Sequence, residues 1–195
     1  MYKARIIIGD NDGNHRRRLK DFLNKAGYVV MYEDSDGLKL LKAIQQMSPD
    51  LVILDGKLDI QSGFDIAQTM AETDLVPVIL MSSYAEPDST RRAAECLAFA
   101  HLIKPVEEAN LYAAIEIALA NYQRVLELKK EIKKHQMELQ SRKLVEKAKG
   151  LLMKHQGLSE MEAYNRLRRE SMNRHTSMGK IADSIIAFYQ MMGEK

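Results

Sequence analysis

Five side chains suited to moving a phosphoryl group stand at the ends of apolar runs. Asp10 and Asp12 follow "ARIII", Asp55 closes "DLVIL", Ser82 closes "VPVILM", and Lys104 follows "HLI". A carboxylate can act as a nucleophile and carry a covalent phosphoryl group. Clustered carboxylates offer the hard oxygen ligands that Mg²⁺ takes. A hydroxyl and an ammonium can meet the charge on phosphoryl oxygens. In that chemistry Asp55 is the nucleophile, the acidic cluster around Asp10 holds Mg²⁺, and Ser82 and Lys104 receive phosphate oxygens. Singly, each is an ordinary cap or surface charge; their recurrence at successive run ends is what counts.

Such recurrence needs a scaffold that delivers every run end to one rim. The spacing predicts strands at 4–8, 28–32, 50–54, 76–81 and 101–103. Helical patterns at 14–26, 36–47, 63–72 and 87–98, and one from about 107, separate and follow them. Near-continuous apolar strands alternating with amphipathic helices predict a parallel sheet covered on both faces. Right-handed crossovers then give a doubly wound α/β domain, with function at the carboxyl edge of its five strands.

Across roughly residues 3–117 the sequence resembles the receiver domain of two-component response regulators. The resemblance rests on Asp55 at the end of the third strand, the hydroxyl of Ser82 after the fourth, and the pair Lys104–Pro105. It implies a flavodoxin-like fold, Asp55 as phosphoacceptor with a cognate histidine kinase as donor, and Ser82 and Lys104 as catalytic and switch residues. It also implies a Mg²⁺ site built from Asp10, Asn11, Asp55 and the backbone carbonyl of Lys57. In that family the Lys-Pro bond is commonly cis. Four positions depart from the pattern. Aligned on "KAGY" (25–28), Asn11 stands where a carboxylate usually holds the metal. Gly56 follows the acceptor, Asp59 replaces a usual proline, and His101 takes a position where an aromatic switch residue is common. His101 is therefore either a switch that responds to pH or a strand histidine filling an aromatic slot. These departures leave two readings open: a phosphorylated receiver, or a pseudo-receiver that docks or pairs without phosphate. The remaining histidines, His15, His135, His155 and His175, have no metal-ligand spacing.

The 195 residues, 46% hydrophobic and 29% charged, describe a globular chain rather than a disordered one. No apolar run approaches the ~20 residues of a membrane helix, and "MYKARIII" lacks the features of a secretory leader. The lone Cys96 is expected to be a small helix residue, which fits a cytoplasmic location. Net charge of +2 hides a division. Residues 1–117 carry thirteen Lys and Arg against eighteen Asp and Glu, a net −5. Residues 118–195 carry sixteen against nine, a net +7. An acidic first part joined to a basic second part suggests two tasks, the second with a polyanion.

From about 107 no Gly or Pro intervenes until Gly150, which predicts a long helix. Ala118, Val125, Ile132 and Leu139 recur every seven residues, and Leu128 adds a partner position; Asn121, His135 and Arg142 interrupt it. This is a dimerising coiled coil or a solvated spacer helix. Beyond it, "GLSEME" offers Gly157 as a stop and Ser159 with Glu162 as a capping box. Thr176 or Ser177 caps a last helix through about Tyr189.

The tail resembles the ANTAR family of small three-helix RNA-binding antitermination domains, on "AKGLLM" (148–153), "GLSEMEAY" (157–164), "LRRESM" (167–172) and "IADSII" (181–186). Helical spacing places Leu144, Ala148, Leu151, Leu152 and His155 on one packed face. Lys143, Lys147, Gly150 and Lys154 share the opposite one, where the glycine lets a phosphate backbone approach. Lys149 lies off that arc and enters through the family motif. Leu167 and Tyr164 are expected to pack inward. Arg168, Arg169, Asn173 and Arg174 carry the groups that read exposed base edges. The resulting organisation is a receiver domain over 1–117, a linker or coiled-coil helix over 118–142, and an ANTAR-like three-helix domain over 143–195. The function expected is a response regulator, not a turnover enzyme. Its receiver would control homodimerisation through itself and the coil, and binding of RNA hairpins. A DNA-binding transcription factor is the alternative for the tail.

Overall fold

The computed structural model describes residues 3–73, 76–83 and 88–193. The chain divides into two compact units between Val125 and Leu126.

In the first unit five strands form a parallel sheet: β1 (Arg5–Gly9), β2 (Val29–Asp34), β3 (Leu51–Asp55), β4 (Val78–Ser83) and β5 (Ala100–Lys104). Their order is β2-β1-β3-β4-β5, the flavodoxin-like arrangement of a doubly wound sheet. The strands are read correctly from sequence, shifted by one or two residues at their ends. Alternation along each strand sends side chains to two cores. Ile7, Val52, Leu54, Val78 and Leu80 pack under α2 (Gly37–Met47), α3 (Gly63–Thr73) and α4 (Ser89–Glu95). Ile6, Ile8, Leu51, Ile53, Ile79 and Met81 pack under α1 (Gly13–Lys25) and the start of α5 (Glu108–Gln156). Both faces being covered explains why these strands are apolar throughout rather than alternating.

Two helices in this unit begin where an aspartate caps them. Asp12 accepts from the amides of Asn14 and His15, and Asp36 from those of Leu38 and Lys39, filling donors that a helix start leaves open. Helix α4 is shorter than the expected 87–98. Cys96 closes it and Leu97 turns into the left-handed region; Pro87 lies outside the described residues. Cys96 is a buried free thiol, placed just past the helix rather than within it.

The heptad reading needs correction at its first position. Ala118 is fully buried in the sheet's own core beside Leu111 and Ile115, so it is spent within the chain and faces no partner. Leu128, Ile132 and Leu139 are each more than half exposed.

In the second unit the end of α5, α6 (Glu160–Asn173) and α7 (Met178–Gly193) enclose a core of Ala148, Leu152, Ala163, Leu167, Ile181, Ala182 and Ile186. The caps fall where the sequence placed them. Gly157 adopts a positive φ of 67°, and its amide closes the last turn on the Met153 carbonyl. Ser159 and Glu162 form the reciprocal capping box, and Ser177 accepts from the Lys180 amide. Helix α7 approaches α5 closely: a Cβ on Gly179 would lie 2.4 Å from Ser141 Oγ. Tyr164 is a second correction. The buried stripe of α6 runs through Ala163 and Leu167, four residues apart, so Tyr164 stands a step round the helix and is 41% exposed.

Candidate functional site

Asp10, Asp55, Ser82 and Lys104 meet at the carboxyl rim of the sheet. Lys104, the last residue of β5, bridges the other two strand ends: its Nζ lies 2.6 Å from Asp10 Oδ2 and 2.5 Å from Asp55 Oδ2. Asp10 is fully buried, Asp55 nearly so, and Lys104 partly. The remaining Asp55 oxygen, Oδ1, accepts from the Lys57 amide at 3.0 Å. The loop that follows closes back tightly. The Gly63 amide donates to the Gly56 carbonyl, and a Cβ on Gly63 would lie 2.0 Å from the Asp55 carbonyl oxygen. Only glycine fits there. The Lys104–Pro105 bond is cis, as the receiver resemblance implies.

Burial pushes the Asp10 carboxyl up, but donors from His15, Lys104 and the Asp12 amide outweigh it and hold the group below the ordinary carboxylate range. Burial likewise pushes Lys104 down, and hydrogen bonds to Asp10 and Asp55 more than reverse that, leaving the ammonium harder to deprotonate than usual.

His15, which the sequence marks only as lacking metal-ligand spacing, reaches the rim. Its Nδ1 lies 2.6 Å from Asp10 Oδ2. The missed signal is positional. Asp12 caps α1, so His15 is the third helical residue, from which a side chain reaches back toward the strand end. Asp12 caps the helix, its Oδ1 accepting from the Asn14 and His15 amides. Asn11 is exposed. The side chains able to hold Mg²⁺ are thus Asp10, Asn11 and Asp55, with the Lys57 carbonyl. All four donors are hard oxygens, as the ion requires, so the set fits it. It does so with two carboxylates; no cluster of three or more His, Cys, Asp or Glu suited to a metal occurs among the described residues.

His101 occupies β5 beside β4, and its Nε2 lies 2.8 Å from Ser82 Oγ. The hydroxyl expected to receive a phosphoryl oxygen is therefore held by the residue in the aromatic switch position. Asp59 has a local reason to differ from proline: its amide donates to the Ser35 carbonyl at 2.9 Å, which an imide nitrogen could not do.

In the second unit Lys143, Lys147, Gly150 and Lys154 are exposed along one side of α5, and none of the three lysines has an ion pair among the described residues. Lys149 is different. Its side chain is 9% exposed, with Nζ 2.9 Å from Glu146 and 2.8 Å from Glu160, and those hydrogen bonds, Glu160's first, raise its pKa. It joins α5 to the first turn of α6 and is not presented as the other lysines are. Arg168, Arg169 and Asn173 are exposed, and Arg174 pairs with Glu170 at 3.1 Å. His155, expected on the packed face, is exposed instead, its ring stacked on Tyr189 with centroids 4.6 Å apart.

A five-stranded 2-1-3-4-5 sheet with an aspartate pocket and a bridging lysine at its rim defines a receiver-type signalling domain. Residues 6–116 match the response regulator receiver domain, and residues 133–186 match the ANTAR domain. The chain is similar to the transcriptional regulatory protein PdtaR of Mycobacterium tuberculosis, 31% identical over 93% of this chain and 89% of that protein. It is also similar to sporulation initiation phosphotransferase F of Bacillus subtilis, 32% identical over 55% of this chain and 86% of the relative. Among solved structures, a response regulator receiver domain protein from Clostridium thermocellum superposes with a TM-score of 0.57 at 28% identity, over 63% of this chain and 98% of that one. The receiver domain of the response regulator NarL from Mycobacterium tuberculosis gives 0.58 at 24% identity, over 62% and 98%. The chain belongs to the two-component response regulators, in the group whose receiver is joined to an ANTAR domain. No helix of the described residues is long and apolar enough to cross a membrane.

Proposed function

We infer that Asp55 accepts a phosphoryl group from a histidine kinase and that this event controls pairing of the chain and its grip on RNA hairpins, to antiterminate transcription. The observation that carries this reading is the single ammonium of Lys104 bridging Asp10 and Asp55 at the rim. When bound, Mg²⁺ would be held by Asp10, Asn11, Asp55 and the Lys57 carbonyl, and would supply positive charge to the phosphoryl oxygens. An Asp55 oxygen attacks phosphorus as the bond to the donor nitrogen breaks, leaving an acyl phosphate. Lys104 then trades a carboxylate partner for a phosphoryl oxygen. Ser82 donates its hydroxyl to another and releases His101. That release reaches β5, whose half-buried Ala100 and Leu102 pack against the core that the start of α5 shares, a route to the exposed Leu128, Ile132 and Leu139 seam.

For the second unit the supporting feature is the row of exposed lysines flanking Gly150. Ammonium groups around a position without a side chain suit a phosphate backbone, and the arginines of α6 suit exposed base edges. Lys149 acts here by positioning α6, not by touching RNA.

The test combines labelling with binding. Incubation with a phosphoramidate or acyl phosphate donor and Mg²⁺ should add one phosphoryl group, absent in Asp55→Ala, and tighten binding to hairpin RNA in competition with duplex DNA. Absence of label with retained RNA binding would make this a pseudo-receiver. Preference for duplex DNA would make the tail an ordinary DNA reader.

A further inference from the structure

Between the end of α5 and helices α6 and α7 lies a cavity of about 330 Å³ that the lysine row does not touch. This volume is at the small end of ligand pockets. Its floor is apolar, made by Leu152, Ile181 and Ile185. Its wall carries Phe188, which is 56% exposed. Beside it Tyr189 is fixed from two directions, stacked on His155 and accepting a 2.7 Å hydrogen bond from Gln156. The rim is cationic. Arg166 donates to Gln156, and Arg174 is steadied by Glu170 at 3.1 Å; each guanidinium keeps further donors for a ligand.

An apolar floor, an exposed ring and two guanidinium groups oppose one kind of occupant: a flat, polar-edged aromatic attached to phosphates. The geometry points to this cavity as the seat of one unstacked base of a single-stranded RNA loop, its ring against Phe188 and its flanking phosphates met by Arg166 and Arg174. Glu170 and Ser184 supply an acceptor and a hydroxyl for the base edge. An apolar peptide segment would leave the remaining donors of the two guanidinium groups facing it without an acceptor. The assignment deepens the RNA-binding reading and rests on it. It adds Arg166 and Phe188 to the contact surface and gives the second unit a means of choosing a loop, since the phosphate contacts of the lysine row carry no sequence information.

The experiment uses the full chain and a pool of hairpin RNAs with a constant stem and a randomised loop, from which the tightest binder to the wild-type protein is taken. That hairpin is then remade with an abasic nucleotide at each loop position in turn. Phe188→Ala is expected to weaken binding about tenfold, within the range for loss of one base–aromatic stack, and to leave the salt dependence unchanged because no charge is removed. Phe188→Leu, which preserves apolar bulk on α7, should show the same loss, and Phe188→Tyr should bind as wild type. One abasic position should weaken the wild-type protein by a similar factor and have no added effect on Phe188→Ala, the non-additivity expected of contacting groups. If wild-type protein binds and Phe188→Ala and Phe188→Leu bind equally well, or every abasic penalty simply adds, the pocket assignment is overturned while RNA binding stands. If wild-type protein selects no hairpin from the pool, RNA binding and pocket fall together.

Discussion

Lys104 and Lys149 invite comparison because each places one ammonium between two carboxylates, one in the sheet unit and one in the helical unit. Around Lys104 the carboxylates are the buried ones: Asp10 is fully enclosed and Asp55 nearly so. Around Lys149 the lysine is enclosed and its partners Glu146 and Glu160 are about two-thirds exposed. The same triad therefore does opposite work. In the first, removing the cation strands negative charge in a low-dielectric pocket, which is how a site becomes ready for an incoming cation or a charged group. In the second, the glutamates can return to water, so the triad fastens two helices and little more.

Replacing each lysine by methionine should break this comparison if it is wrong. Lys104→Met is expected to lower stability by about 3 kcal/mol at neutral pH, as removing one partner of a buried pair does. The pH dependence has a defined sign. Asp10 has a lowered pKa, so its contribution is full above its ordinary value of 3.8 and lost as pH falls through the folded value. Lys104 has a raised pKa, so its contribution is full below 10.5 and lost as pH rises through the folded value. The deficit of Lys104→Met should thus be steady through neutrality and shrink on acidification below about 4. Lys149→Met should lose a fraction of that stability in the same denaturation series. Equal losses would mean that carboxylate burial does not decide the outcome.

Charge that is presented rather than buried should register in salt dependence. Neutralising Lys143, Lys147 and Lys154 together should flatten the slope of log affinity for hairpin RNA against log salt by about 0.7–0.9 per charge. Lys149→Met should leave that slope unchanged. A titration of each variant across a salt series decides it.

Asn11→Asp sharpens the other side. A third carboxylate at the rim adds ligand charge, so Mg²⁺ affinity should rise about tenfold, read by calorimetry, with faster labelling of Asp55. No change would place Asn11 outside the metal set.

The smallest effect belongs to Gly150. A Cβ there meets nothing within 4 Å, so Gly150→Ala should stabilise α5 by about 0.5–1 kcal/mol. A concurrent loss of RNA affinity would show that the bare backbone is used by the ligand.

What could be read from sequence was whatever short-range rules control. Asp55 at a strand end and the Ser159–Glu162 box each depend on neighbours a few residues away, and both lie where expected. The misreadings at Ala118 and Tyr164 and the unforeseen rim contact of His15 share one cause. Each depends on what packs beside the element, which periodicity along a single helix does not contain. Ala118 fits the heptad, yet the sheet buries it first. Tyr164 fits an apolar stripe whose axis is set by Ala163 and Leu167. His15 has no ligand spacing in the chain and acquires its partner through a helix start folding back on a strand end. Lys149 enters through family likeness, while its place between Glu146 and Glu160 depends on how α6 packs.

The Asp59 amide that donates to the Ser35 carbonyl is one strand of a wider stitch, because the Asp59 carbonyl accepts from the Gly37 amide and a Cβ on Gly37 would meet the Gln61 carbonyl oxygen at 2.2 Å. The segment after β3 is thus sewn to the start of α2. It is a poor host for an inserted reporter or epitope: lengthening it by even a few residues would unpick two connections at once and pull the backbone away from Asp55.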